Sequence, residues 1–418
     1  MLDIKFIREN AEVVKENNRN RRVETDVDRL LELDAQRRER ITQVEGLRSL
    51  RNQKSKTKPT PEEILKMKEV GVQITNAEKE LSDLDAEYQE LLLKIPNLSH
   101  ADSPVGGEED YKVVSENGKI PKFDFEAKDH EVLMTDLGLI DFERGAKVAG
   151  AKHYFTKGDL VRLNKALISY GIEVLSKHGY ELVETPDMAK NEILSGIGFN
   201  PRGPETQVYS IENTDLSLIG TAEITMGGYH KDEIMDFSNG PKKYVALSHC
   251  FRTEGGAYGR TNKGLYRVHQ FEKLEMFIYC KPEDSEAMHQ ELLAIEQEIC
   301  DALEIPYRII DIPTGDLGGP AFRKYDVEAW MAMVGDKGGY GEITSTSNCT
   351  DYQARRLNIK YRKDDGSSEF AHTLNGTAVV LSRFPIAIFE THQQADGSVK
   401  VPKVLQKYTG FDVINKKT

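Results

Sequence analysis

The chain is poor in the features that would tie it to several large protein classes. Its 418 residues hold only four cysteines, Cys250, Cys280, Cys300 and Cys349. They lie 30, 20 and 49 residues apart. With no CxxC pair, neither a zinc knuckle nor a disulfide framework is indicated, and no structural zinc is expected. No apolar run approaches the roughly 18 residues that a membrane span needs. The start, MLDIKFIREN, is charged and amphipathic and does not read as a signal peptide. Basic residues are outnumbered, and the formal net charge is −13. A surface coated in cations is therefore excluded, and any nucleic-acid contact must come from a local patch. GxxxxGK[ST], a GxGxxG after a strand, and HExxH are all missing, which argues against P-loop, Rossmann and zincin chemistry. These absences point to a cytoplasmic protein with reduced thiols.

What is present falls into two regimes. From Val27 to Ile95 the chain is rich in Leu, Glu, Lys and Arg, broken at Thr57–Pro61. Its second half carries an apolar seam at Met67, Val70, Ile74, Ala77, Leu81, Leu84, Tyr88, Leu91 and Ile95. Spacings alternating between three and four mark a coiled-coil face. The first half is rougher, with Leu30, Leu33, Ile41, Val44, Leu47 and Leu50. Two long helices joined by a Pro-containing turn are expected to fold back as an antiparallel hairpin. Between Gly46 and Thr60 stand Arg48, Arg51, Lys54, Lys56 and Lys58, with no acid. Such a run reads as a solvated helix end. Near the end of a helical arm in an acidic protein it also suits RNA phosphates.

The remainder mixes short β-rich runs with amphipathic helices, the pattern of an antiparallel α+β fold. The expected division is an arm over 1–100, a Pro- and Gly-containing linker over 101–121, and a core over 122–418.

Within that core, Arg252–Glu275 is the densest stretch. Arg252-Thr253-Glu254 follows an apolar run, and a loop with Gly255, Gly256, Gly259 and Gly264 leads into Leu265–Tyr279. If that last segment is extended, Arg267, His269, Phe271, Lys273 and Glu275 share one face. A buried strand tolerates such charges only with something charged against them. Three further blocks offer chemistry. Thr221-Ala222-Glu223 presents a hydroxyl and a carboxylate, or reads as an N-cap. Glu342 and Ser345 offer hard oxygen ligands suited to Mg²⁺. In a regular strand they face opposite sides, so sharing a metal requires a bulge or a strand end. Asn375-Gly376-Thr377 leads through Ser382-Arg383 to Pro385, which fits a helix start and not its interior.

These blocks resemble the three signature motifs of class II aminoacyl-tRNA synthetases. His178–Pro186 resembles motif 1, Arg252–Phe271 motif 2, and Asn375–Arg383 motif 3. The chain is most similar to the seryl-tRNA synthetases, through MLDIKFIREN, IPNLSH, FDFEAKDHEVL, GLIDFERGAKVAG, LIGTAE, EITSTSNCTDYQARR and HTLNGT. It differs from the usual pattern at Phe384-Pro385, at Glu390-Thr391 and at Gly318–Phe322.

The resemblance implies serine activation by ATP with Mg²⁺, then transfer to tRNA(Ser), by a homodimer. It implies that Arg252 binds the α-phosphate, Glu254 the adenine amino group, and Arg267 the triphosphate. Phe271 and Arg383 would sandwich adenine, with Thr253, Val268, Ile343 and Thr344 beside them and Glu342 and Ser345 on the metal. Arg252, Arg267 and Arg383 would carry the catalysis. Thr221, Ala222, Glu223, Arg252, Glu275, Asn375 and Thr377 would form the serine pocket, and Arg48 to Lys58 would meet tRNA. A related ligase charging a carrier protein or another small amino acid is the alternative. A non-catalytic RNA-binding scaffold would be expected to lack Arg252, Glu254 or Arg383, and all three are present.

Overall fold

The computed structural model describes residues 1–54, 60–199, 207–254, 263–335 and 337–416. The chain divides into two units, Met1–Leu98 and Ser99–Thr418. Among the described residues no helix is long and apolar enough to cross a membrane.

In the first unit, α1 (Val27–Lys54) lies antiparallel to α2 (Pro61–Lys94). Thr60 and Glu63 form a capping box and Pro61 takes the first turn, so α2 starts where the proline costs least. Val70, Ile74, Ala77 and Tyr88 of the expected seam are buried, and Leu30, Leu33 and Val44 face them from α1. Leu50 departs from the expected stripe and is exposed. Charges flank the seam. Arg29 bonds Glu87 at 2.8 Å, Arg40 meets Glu80 at 3.1 Å and Arg48 meets Glu78 at 2.7 Å.

The second unit is built on an eight-stranded sheet. Its strands are β1 (Lys112–Asn117), β2 (Glu181–Glu184), β3 (Lys242–Phe251), β4 (Gln270–Cys280), β5 (Tyr307–Asp311), β6 (Arg323–Met331), β7 (Gly339–Asn348) and β8 (His372–Val380). They lie in the order β1-β5-β6-β7-β8-β4-β3-β2. Every pairing is antiparallel except β2 with β3. Five helices matter to the site: α3 (His130–Asp136), α4 (Asp159–Lys177), α5 (Ala222–Gly228), α6 (Ser285–Ala302) and α7 (Phe384–His392). The even residues of β4, Leu274, Met276 and Ile278, join the main core with α4 and α6. The backbone of α4 comes so close at Gly171 that a Cβ there would meet Leu274 and Val379 at 2.9 Å.

Two expectations need correcting. The expected linker contains β1, which pairs with β5 from Lys112↔Asp311 to Asn117↔Tyr307. An edge strand open to solvent shows no apolar alternation, so composition hides it. The expected strand Leu265–Tyr279 begins only at Gln270. Upstream of it, Leu265 N–H is drawn to His130 and Tyr266 N–H closes a turn onto Lys263. These amides are spent outside the sheet.

Candidate functional site

The site lies where the sheet opens. β7 pairs with β6 along its whole length but with β8 only at Thr346–Asn348. The freed half of β7 leaves a cleft lined by Arg252, Glu254, Tyr266, Arg267, Val268, Phe271, Lys273, Glu342–Ser345, Thr377, Val380, Ser382 and Arg383. A wider cleft, which shares Phe271, is lined by Lys165, His249 and Glu272. Its charges are already matched, with Lys165 3.1 Å from Glu272 and His249 2.8 Å from Asp187. In the narrower cleft three arginines converge.

Those arginines reach it by three routes. Arg252 follows β3, and its amide bonds His269 O at 3.0 Å. Its guanidinium donates to Gly220 O at 3.3 Å and lies 5.3 Å from the centre of the Phe271 ring. Arg267 arrives from the turn before β4 and donates to Glu254 at 3.3 Å. Glu254 itself takes a left-handed backbone, φ 48°. Arg383 precedes α7, and its guanidinium lies 3.6 Å from the Tyr266 ring centre and donates to Glu342 O. Thr253 bonds Gln207 O through its amide, while Val268 and Ile343 are buried among apolar neighbours.

On β7 the alternation breaks. Glu328 pairs with Glu342 and Val327 with Thr344, so Ile343 has no partner across the ladder. Glu342 is open to solvent, Ile343 and Thr344 are buried, and Ser345 is half-buried. This one-residue bulge brings residues 342 and 345 to the same side, the condition that regular spacing denies them. Crowding raises the Glu342 carboxyl, but Lys324, Arg383, Arg252 and Arg267 outweigh that and hold it below the usual carboxylate range. An ionised carboxylate beside a hydroxyl is a donor pair suited to a hard cation. Among the described residues no group of three or more His, Cys, Asp and Glu is gathered to hold a metal.

Two carboxylates are buried near enough to feel each other's charge. Glu275 on β4 bonds Lys273 at 2.7 Å and accepts from Thr377 at 3.1 Å. Glu223, in the first turn of α5, accepts from Gln353 at 2.9 Å and from Asn375 at 3.1 Å. Thr221 caps α5 by accepting from Glu223 N–H at 3.2 Å, and Ala222 is fully buried. Burial, and next the charge of Glu275, push the Glu223 carboxyl up to about 7. A buried pair of acids with one pKa raised is a ready receptor for a cationic group.

Of the residues singled out for the tRNA arm, Arg48 and Arg51 are exposed on α1, and Arg48 is tied to Glu78. Lys54 ends α1. Lys56 and Lys58 lie outside the described residues. Residues to which the sequence assigns no role also join the site. Lys273 is sealed against Glu275, Tyr266 lies under Arg383, and Gln353 has its amide fixed by Thr373 at 2.6 Å. Tyr266 and Gln353 lie within quoted motif blocks, but their contacts span 117 and 130 residues and leave no local pattern.

Comparison with known proteins gives a consistent result. Residues 1–99 match the family Seryl-tRNA synthetase N-terminal domain, and residues 207–392 match tRNA synthetase class II core domain (G, H, P, S and T). A serine–tRNA ligase of Treponema denticola is 54% identical over 99% of this chain and 100% of its own length. The crystal structure of seryl-tRNA synthetase from Pyrococcus horikoshii complexed with ATP superposes with a TM-score of 0.91 at 37% identity, covering all of both chains. A cytoplasmic serine–tRNA ligase from Naegleria fowleri in complex with AMP gives 0.87 at 35%, covering all of this chain and 99% of that one.

Proposed function

Because this chain belongs to the seryl-tRNA synthetases and is a serine–tRNA ligase, we propose that the opened cleft between β7 and β8 is where it activates serine with ATP. The observation that carries the reading is the meeting of Arg252, Arg267 and the distant Arg383 in one cleft, which Lys273 and Thr377, the partners of the buried Glu275, also line.

The reaction needs no covalent nucleophile from the protein. The serine carboxylate oxygen bonds the α-phosphorus of ATP, and the bond from that phosphorus to the bridging oxygen breaks, releasing pyrophosphate. Such a transfer depends on alignment and on neutralising phosphate charge. Arg252 takes the α-phosphate, Arg267 and Arg383 the outer phosphates, and Phe271 the adenine face. Glu342 and Ser345 would hold Mg²⁺, which when bound supplies further positive charge to the phosphates. Glu223 receives the serine ammonium. Glu275 and Thr377 receive its hydroxyl, a hydrogen bond that alanine cannot make, which is a basis for rejection. A terminal ribose hydroxyl of tRNA(Ser) then attacks the seryl carbonyl and AMP leaves.

The first unit, Met1–Leu98, serves as the tRNA arm, with Arg48, Arg51, Lys54, Lys56 and Lys58 toward phosphate, and the second, Ser99–Thr418, as the catalytic domain. A second copy of the chain covers the sheet edge at β2. That edge strand exposes Leu182, and Met188 just beyond it is exposed too, an apolar margin that a sheet rarely leaves open. Four buried cysteines, none of them in a disulfide among the described residues, support a reducing, cytoplasmic setting.

Amino-acid-dependent exchange of pyrophosphate into ATP, run across all twenty amino acids, tests the assignment. Serine should stand alone. Exchange with glycine or alanine exceeding serine, or none with serine in Mg²⁺, would overturn it.

A further inference from the structure

Away from the cleft, one buried pair is not explained by catalysis. His130, at the start of α3, and Glu390, near the end of α7, are both sealed from solvent, with Nδ1 2.8 Å from Oε1. Burying a charge among apolar residues is costly unless every polar atom is met. Here every one is met. Glu390 Oε1 also accepts from His130 N–H at 2.9 Å, and Oε2 accepts from Met333 N–H at 3.0 Å. His130 Nε2 accepts from Leu265 N–H at 3.1 Å. An amide can only donate, so Nε2 carries no proton and Nδ1 is the donor to Glu390.

The neighbouring residues build a two-point grip on the return leg of the motif 2 segment. Asp129 caps α3 and holds Lys263 at 2.5 Å, while His130 holds Leu265. Gly264 lies between them with φ 58°, and a Cβ there would stand 2.2 Å from His130 Nε2. Only glycine lets the imidazole sit over this backbone.

The same segments meet again inside the cleft. Tyr266, next to Leu265, donates to Glu342 O at 3.4 Å and carries the Arg383 guanidinium on its ring. Arg383 stands at the N-cap of α7 and Glu390 in its last turn, about 10 Å apart at 1.5 Å per residue. α7 is thus joined to the return leg at both ends, by Arg383 on Tyr266 and by Glu390 through His130 on Leu265.

We propose that His130 is a positioning residue for the nucleotide site: oriented by Glu390, it latches Leu265 and so sets where Tyr266 and Arg267 stand relative to Arg383. It touches no substrate. The proposal rests on the cleft being the ATP site and adds how that site is held in register.

The test uses the full chain and three readouts: KM for ATP and KM for serine in pyrophosphate exchange, and serine transfer to tRNA from supplied, chemically made seryl-adenylate. Arg267→Ala is the reference. His130→Leu should raise KM for ATP about tenfold, with KM for serine and the transfer rate within about twofold. Gly264→Ala, which wedges the latch, should move the same readout in the same direction. Lys263→Ala removes the outer, half-exposed grip, so it decides the matter even where His130→Leu fails to fold. It should raise KM for ATP about threefold, again selectively. A purely structural role would lower exchange and transfer together, through the fraction of folded enzyme. Equal losses in all three readouts, or an unchanged KM for ATP, would overturn the latch. Should Arg267→Ala itself leave KM for ATP unmoved, the reading of the cleft falls first and takes the latch with it.

Discussion

Lys273 and Glu275, two residues apart on one face of β4, form a 2.7 Å ion pair with side chains only 9% and 2% exposed. Removing one partner strands the other in a medium that cannot solvate it. Lys273→Met is therefore expected to cost about 3–5 kcal/mol of stability. Lys273→Met/Glu275→Leu should regain most of that while abolishing serine activation. Urea unfolding of the three proteins checks the pair, and a single-variant loss below about 1 kcal/mol would put it on the footing of a surface ion pair.

Glu223 gives a pH signature. Its folded pKa, about 7, lies above the ordinary 4.5, chiefly through burial and then through Glu275. The folded protein therefore holds this proton more tightly than the unfolded chain does. The stability that this contributes is complete below pH 4.5 and is lost as pH rises through about 7, in total ~3 kcal/mol. Glu223→Gln should flatten that fall. Serine's ammonium favours the ionised form, so KM for serine should drop as pH rises toward 7 and level off above it. Thermal unfolding between pH 5 and 8 reads the first effect, and serine-dependent pyrophosphate exchange over the same range reads the second. A Glu223→Gln protein with the same slope as the parent would refute the account.

Arg51 is exposed on α1 in the first unit. Arg51→Ala should weaken tRNA binding severalfold and lower the salt slope of that binding by about one. Serine-dependent pyrophosphate exchange without tRNA should be unchanged. Aminoacylation measured across a salt series separates the two, and an unaltered slope would remove Arg51 from the interface.

Local pattern revealed the hairpin well, because its seam is a repeat: Val70, Ile74 and Ala77 declare themselves by spacing alone. The residue types of the cleft were also visible, since arginine and glutamate inside β-rich runs are conspicuous. Where Arg267 would sit was not. Alternation from Phe271 backward puts it on a strand, but the amide of Leu265 is claimed by His130, 135 positions earlier in the chain, and the sheet ends at Gln270. Alternation puts Lys273 and Glu275 on one face, but it does not say that they pair with each other. Gln353 and Tyr266 act through contacts that close only after folding. β1 was missed for a simpler reason: an edge strand exposed to water carries no apolar signal to read.

Ile343 contributes nothing to the cleft's charge and reads as an ordinary core residue. Its value is one of parity. A β-strand counts in twos, and Glu342 and Ser345 are separated by an odd number, so a regular ladder would send one of them into the core. The unpaired residue turns odd into even. What selection has to preserve at position 343 is thus the presence of a residue as much as its identity, and a change of side chain there is a gentler alteration than a change in the number of residues between the two oxygens.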